Sequence, residues 1–164
     1  RQMCIRDRTD TVRLSYNNFN GTSVTAVSVA AHECGHAIQH AHGYAPMNIR
    51  AALVPVVNIG SNLSIPLIFL GVLLSWNQTL IQLGIWAFAL TVIFQLVTLP
   101  VEFDASNRGL EMLRKFGMLQ GDEMVSCRKV LQAAALTYVA AAASSILQLL
   151  RLIMISGAGS RRRD

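Results

Sequence analysis

Two histidines and a glutamate stand in the chain at the spacing of a metal-binding motif. Residues 32–36 read HECGH. Because residues four apart lie on one face of an α-helix, the imidazoles of His32 and His36 can reach a single ion. Zinc takes nitrogen ligands of this kind in tetrahedral geometry. Glu33 projects about 100° away from His32 on the helix, so its carboxylate can act as a general base on a metal-bound water rather than bind the metal.

The surroundings of the motif are uncharged, as a buried metal-binding helix requires. Residues 29–31 and 37–38 carry no charge, whereas a solvated helix tolerates charges at such positions. Thr22 or Ser23 can cap a helix that begins at Val24 and runs to about residue 41, and Gly43 can end it. We therefore predict a zinc-binding helix.

A third ligand is needed, and Glu102 is the best candidate. His40 lies two turns from His32, roughly 12 Å along the helix axis, which is too far for one zinc ion. His42 falls at the third histidine of an HExxHxxGxxH pattern, but that pattern needs glycine where the chain has Gln39. Glu102 follows directly after a long apolar segment, where a carboxylate is costly unless it is paired or bound to metal.

The apolar segment covers residues 51–101, which are 51 consecutive residues without a formal charge. A membrane-spanning helix needs about 20 apolar residues, so we predict two spans, 52–75 and 80–99, joined by a polar turn. Two spans return the chain to the membrane face that it left, which brings Glu102 back to the side of the histidine helix. A third apolar run, 131–150, is a candidate span or a packing helix. Residues 102–117 are predicted to form a separate helix.

The N-terminal part of the chain carries two further predictions. Residues 11–15 alternate like a β-strand, which could pair with an extended substrate. Residues 1–8 resemble a translated sequencing adapter, so we expect 9–164 to be a single domain and a fragment that lacks its N-terminal part. The fold class is thus mainly α, an integral-membrane helical protein with minor β at the N-terminus.

Composition excludes several classes of protein. The chain is 52% hydrophobic and 14% charged, against about 25% charged in soluble domains. Its net charge of +5 is concentrated at the two ends, which leaves +1 over residues 9–160. No basic stripe remains to bind nucleic acid. Three scattered cysteines fit neither a disulfide framework nor a cysteine zinc site.

Four segments of the sequence resemble the YugP-like family of membrane zinc metallopeptidases. They are residues 30–39, 53–58, 94–103 and 133–141, and the resemblance extends over residues 11–163.

The layout is also similar, more distantly, to HtpX-like and CAAX-prenyl membrane proteases. Those proteases have HExxH, two spans and a glutamate ligand in an ExxxD helix. The resemblance implies that His32, His36 and Glu102 bind zinc and that Glu33 is catalytic. The chain departs from the ExxxD pattern at its last position, where it has Ser106, so the carboxylate that orients a ligand in those relatives is not supplied there.

The sequence thus predicts a membrane-embedded zinc endopeptidase that hydrolyses peptide bonds through a zinc-activated water. Its partners are a peptide or protein substrate, membrane-associated substrates included, and the lipid bilayer. Two alternatives stay open: a metal-handling or transport protein, suggested by the additional His40 and His42, and a catalytically idle scaffold. Arg108 and Tyr138 are weak candidates for stabilising the oxyanion, and each is more typical of a structural role.

The location expected for the protein is the plasma membrane of a bacterium. Five basic residues in the loop between the second and third apolar runs favour the cytoplasmic side for the site. They are Arg108, Arg114, Lys115, Arg128 and Lys129. The basic tail at 161–163 points the other way if residues 131–150 span.

Overall fold

Five helices make up the part of the chain that the structure describes. This computed structural model describes residue 12 and residues 14–160, apart from the side chains of residues 17 and 158–160. The helices are α1 (Tyr16–Phe19), α2 (Val24–Ala41), α3 (Ala45–Leu73), α4 (Gln78–Lys115) and α5 (Asp122–Ser160). The chain divides into two units, residues 1–48 with 99–137 and residues 49–98 with 138–164. The predicted mainly helical class is confirmed.

Helix α2 carries the HECGH segment and has the predicted ends. Ser23 is its N-cap, and the Ser23 side chain accepts a hydrogen bond from the amide of Ala26 at 3.2 Å. Gly43 follows the helix with a φ of +62°, in the left-handed region that glycine adopts without a Cβ penalty. Capping residues at both ends therefore fix the helix locally.

The predicted N-terminal strand is not supported. Val12, Leu14 and Ser15 have no regular structure, and Thr11 and Arg13 lie outside the described residues, as does the segment 1–8. Instead of continuing an extended strand, Ser15 caps the short helix α1 by accepting from the amide of Asn18 at 3.4 Å. No strand occurs in the described part of the chain that could pair with such a segment, and an unpaired strand is not stable in water.

The turn between the two central apolar helices lies at residues 74–77, within two residues of the prediction. Ser75 and Trp76 both have positive φ, and the side chain of Asn77 caps α4 by accepting from the amides of Thr79 and Leu80. The prediction of a separate helix over 102–117 is wrong, because α4 continues through Pro100 to Lys115. Apolar helices accommodate proline when neighbouring groups satisfy the freed backbone.

In the second unit, α3 and α4 pack against each other as antiparallel neighbours. Ser64 is fully buried and donates its hydroxyl to the carbonyl of Gly84 at 2.9 Å. A Cβ on Gly60 would lie 3.2 Å from the carbonyl of Ala87. Small residues at such positions let apolar helices approach closely.

Helices α3, α4 and α5 are long and apolar enough to cross a membrane, judged by length and composition. Only 11–22% of their most apolar windows is buried inside the protein. Large apolar side chains are correspondingly exposed, for example Trp86 at 70% and Leu147 at 67%. Apolar surface on this scale needs a cover such as lipid, which supports a membrane location.

The first unit has a small core shared by α2, α4 and α5. Its buried members are Ala31, Leu113, Leu119, Cys127 and Leu131. Close to this core, α2 and α4 approach at two glycines. A Cβ on Gly35 would clash with the backbone carbonyl of Ala105, and a Cβ on Gly109 would lie 2.6 Å from the carbonyl oxygen of Ala31. Glycine at both positions brings the backbones of the two helices together.

Candidate metal centre

The close approach of α2 and α4 brings together the three residues predicted to bind metal. The Nε2 of His32 lies 3.2 Å from Oε2 of Glu102, and the Nε2 of His36 lies 3.6 Å from the same oxygen. The two rings meet edge to face, with centroids 4.6 Å apart. Among the described residues, these three form the cluster whose ligand atoms all lie within 4.8 Å of one another.

The donor set fits a zinc ion in chemistry and spacing. Two imidazole nitrogens and one carboxylate oxygen are ligands that zinc prefers, and two ligands each about 2.1 Å from a tetrahedral ion lie about 3.4 Å apart. The contacts of 3.2 and 3.6 Å bracket that value. Glu102 is only 3% exposed, and a carboxylate buried to this degree requires a positive partner. The assignment of the three residues as ligands stays a prediction.

The second ring nitrogen of each histidine, Nδ1, also lies within hydrogen-bond distance of a polar side chain. The Nδ1 of His32 lies 3.1 Å from the hydroxyl oxygen of Ser106, and that hydroxyl donates to the backbone carbonyl of Glu102 at 2.9 Å. The Nδ1 of His36 lies 2.9 Å from Oε1 of Gln39. Ser106, which the sequence comparison treats as a missing carboxylate, therefore supplies a hydrogen-bond partner in its place.

The side-chain amide of Gln39 is hydrogen-bonded to α4. Its Nε2 donates to the backbone carbonyl of Val101 and to Oδ2 of Asp104, both at 2.8 Å. The same carboxylate oxygen accepts from Nε of Arg108 at 2.6 Å, and the guanidinium lies 5.7 Å from the ring centroid of Tyr44. Arg108 is thus bound to Asp104, which is the structural role that the sequence favours for it over oxyanion stabilisation.

Glu33 is half-buried on α2 between the two histidines. Its negative charge acts on its neighbours. Burial raises the pKa of the Cys34 thiol and the charge of Glu33 raises it further, so Cys34 stays protonated near neutral pH and is a poor ligand. Burial lowers the pKa of His36, but its hydrogen bonds with Glu102 and Gln39 and the charges of Glu102 and Glu33 outweigh this and raise it.

The other predicted candidates are not members of this cluster. His40 is exposed, and His42 caps α2 with its Nδ1 2.9 Å from the carbonyl of Ile38. Neither belongs to the cluster of three, in agreement with the spacing argument. Tyr138 belongs to the second unit.

A cavity of about 250 Å³ opens beside Ser106. Its lining comes from α4 and α5 of the first unit and combines apolar with polar side chains: Phe103, Ser106, Asn107, Leu110, Arg128, Leu131, Gln132 and Ala135. Because Ser106 also contacts His32, this cavity adjoins the cluster.

Sequence reasoning missed three features of the site: the buried amide of Gln39, the hydroxyl of Ser106 as a partner, and the close helix approach at Gly109. A signal was available for Gln39, since it lies three residues after His36 and shares its helix face. Nothing local in the sequence marks Gly109, because its role comes from a contact with α2.

The fold and the cluster together are those of a helical protein with a histidine–carboxylate cluster that could hold a metal ion. The family described as "putative neutral zinc metallopeptidase" matches residues 6–157. The chain belongs to this family, as the resemblance predicts. It is also 49% identical over 144 residues to the "putative membrane protease YugP" of Bacillus subtilis (strain 168), a match that covers 88% of this chain. The match spans 64% of the length of that relative. No solved structure matches the chain.

Proposed function

We propose that the chain is the catalytic part of a membrane zinc endopeptidase in which His32, His36 and Glu102 hold the metal and Glu33 is the general base. The observation that carries the proposal is the convergence of three ligand atoms from two helices around one buried carboxylate. Family membership and the name of the bacterial relative support it.

The chemistry divides between the ion and the chain. A bound zinc ion supplies Lewis acidity, which lowers the pKa of water to about 7 and polarises a carbonyl. Glu33 accepts a proton as the water oxygen attacks the peptide carbonyl carbon. It then transfers that proton to the amide nitrogen as the C–N bond breaks, which leaves a carboxylic acid and an amine; the acid then loses its remaining proton to the amine, giving a carboxylate and an ammonium group. The cavity beside Ser106 offers space for a side chain of the substrate.

We further propose that α3, the apolar part of α4 and α5 span the membrane and that residues 9–164 act as one domain. Two spans between α2 and Glu102 return the chain to one face of the membrane. The five basic residues between 102 and 130 favour the cytoplasmic face of a bacterial plasma membrane. Substrates near that face, membrane-associated ones included, would meet the site.

A metal-handling protein is the main alternative, and the positions of the histidines do not favour it. In a transport or storage site, His40 and His42 would be expected to contribute ligands, yet both lie outside the cluster. Such a protein would also have no need of Glu33. A catalytically idle scaffold would have the same fold and the same cluster, so only a measurement of peptide cleavage distinguishes it from the enzyme.

The test compares Glu33→Gln with the parent on a generic unfolded protein substrate, with and without a chelator. The variant keeps its shape and its zinc and loses peptidase activity by about 10²–10⁴-fold, the usual contribution of a general base. Glu123→Gln, the same change at an exposed position at the start of α5, keeps full activity. Equal cleavage by Glu33→Gln and by the parent refutes the role of Glu33 as general base. A parent that binds zinc without cleaving any substrate refutes the proposal that the protein is a peptidase.

A further inference from the structure

The hydrogen-bond partners of Gln39 leave its amide only one orientation. Its nitrogen faces two acceptors, the carbonyl of Val101 and the carboxylate of Asp104, each at 2.8 Å. Neither acceptor can donate a hydrogen bond, so the amide nitrogen must point at them and the amide oxygen must point at His36. Gln39 is fully buried, and a reversed amide would place an oxygen against two others out of water.

This orientation determines where His36 carries its proton. Since Oε1 of Gln39 can only accept, the Nδ1 of His36 at 2.9 Å must donate. The same reasoning applies to His32. The single hydroxyl proton of Ser106 goes to the carbonyl of Glu102, so the hydroxyl oxygen accepts from Nδ1 of His32.

A neutral imidazole has one N–H, and in both rings it is committed to Nδ1. When both rings are neutral, the lone pairs of both Nε2 atoms therefore face the carboxylate oxygen of Glu102 at 3.2 and 3.6 Å. Lone pairs on three atoms that converge in this way repel each other unless a cation lies among them. Histidines that bind metals show this arrangement, with the second ring nitrogen donating to a fixed acceptor.

We infer that Gln39 is a positioning residue for His36. Asp104 and the Val101 carbonyl fix the orientation of the Gln39 amide, and the amide in turn holds His36 as the Nδ1–H tautomer, so that Nε2 of His36 faces the metal. The inference rests on the proposed zinc site. Asp104 acts through Gln39 and is itself fixed by Arg108 at 2.6 Å. Ser106 performs the corresponding task for His32 with a neutral hydroxyl, so the two ligands are oriented by different means.

The test uses the whole chain in detergent, loaded with zinc, and measures two quantities. The first is the zinc dissociation constant, from competition with a chromophoric chelator. The second is the long-range ¹H–¹⁵N pattern of the imidazoles by NMR, which reports directly which ring nitrogen carries the proton. Neither readout requires turnover, so a parent that binds zinc without cleaving peptides contradicts the proposed function and leaves this inference standing.

Gln39→Met keeps the length of the side chain and removes its acceptor and its donor. We expect its zinc dissociation constant to rise by about 10–100-fold, the usual effect of losing such a partner, and the hydrogen-bonded Nδ1–H signal of His36 to disappear. Asp104→Ala, which loosens Gln39 without touching the histidine, has a smaller effect of the same sign. The double variant is no worse than Gln39→Met alone, because both changes act through one chain of contacts.

His40→Gln is the matched control on the same helix, since His40 is exposed and outside the cluster, and it keeps parental zinc affinity. An unchanged zinc affinity and an unchanged His36 signal in Gln39→Met overturn the inference, as do additive effects in the double variant. If Gln39→Met does not fold, Asp104→Ala decides. Its side chain is 28% exposed, so the fold survives the change, and parental behaviour of both readouts in that variant overturns the inference.

Discussion

Replacing Gly109 by alanine tests whether the metal site depends on the close approach of α2 and α4. Gly109 belongs to no motif and lies seven residues beyond Glu102. A Cβ there would lie 2.6 Å from the carbonyl oxygen of Ala31, 2.8 Å from its carbonyl carbon and 3.1 Å from the amide nitrogen of His32. All three atoms are backbone, so no rotamer change can relieve the contact.

The size of the displacement follows from these distances. Ordinary contacts of a Cβ begin at 3.4 Å, so the nearest pair must separate from 2.6 to 3.4 Å, an increase of about 0.8 Å. Metal ligands tolerate about 0.2 Å, and the movement acts on the helix segment that carries His32. We expect Gly109→Ala to lower zinc affinity at least about 10-fold and peptidase activity about 10²-fold, as a misplacement near 1 Å does.

The stability of this variant changes much less than its zinc binding. Overpacking costs about 1–3 kcal/mol, and alanine recovers about 1 kcal/mol of helix propensity over glycine. The net loss of folding free energy is therefore about 0–2 kcal/mol, which a thermal melt in detergent measures. Gly157→Ala is the matched control, because a Cβ at Gly157 meets nothing within 4 Å. Parental zinc affinity in Gly109→Ala would refute the dependence of the site on this contact.

Three further predictions concern the metal and the membrane. The parent holds about one zinc per chain and His36→Ala loses most of it, which metal analysis after gel filtration measures; undiminished zinc would put the site elsewhere. Glu102→Gln weakens zinc binding more than Glu33→Gln does, because a neutral amide is a poorer ligand than a carboxylate; the reverse order in a chelator competition would exchange the two roles. In a background without native cysteines, His40→Cys and Lys115→Cys, both at exposed positions, react with an impermeant thiol reagent from the same side of the membrane. Labelling from opposite sides would contradict an even number of spans between them.

Local signals in the sequence predict helix α2 from Val24 to about residue 41, and the structure has it at Val24–Ala41. Ser23 has a side chain that caps an amide, Gly43 adopts positive φ at no steric cost, and the residues between them form one uninterrupted helix. Interactions of this kind are confined to a few neighbouring residues, so the sequence alone displays them.

Helix α4 shows where such local reasoning fails. The change from uncharged to charged residues at Glu102, two residues after Pro100, predicts a new helix there. In the structure the helix runs through both positions. A change in polarity marks a change in the surroundings of a helix and carries no information about its hydrogen bonds. Glu102 therefore lies on a helix that continues from the preceding apolar segment.

The candidate ligands were predictable because topology and chemistry limited the choice, whereas their supporting contacts were not. Glu102 was the carboxylate that two spans would return to the histidine helix, and the structure places it 3.2 Å from His32. Gln39 and Ser106 became meaningful only when α2 and α4 were seen in contact. Hydrogen bonds between residues 60–75 positions apart leave no periodic signal in a sequence.

The departure at Ser106 changes the electrostatics of the site without leaving a gap in it. Where a carboxylate accepts the second N–H of a metal-binding histidine, it makes the ligand more basic. Here His32 donates to the hydroxyl oxygen of Ser106, and His36 donates to the amide oxygen of Gln39. The carboxylate that contacts the Gln39 amide belongs to Asp104 and is already paired with the guanidinium of Arg108. In the described part of the chain, the carboxylate that contacts both imidazoles is Glu102. A cation held there by two imidazoles with neutral partners and one carboxylate would retain more of its positive charge. Since a nearby positive charge lowers the pKa of an acid, this arrangement would favour the acidification of water that the proposed hydrolase requires.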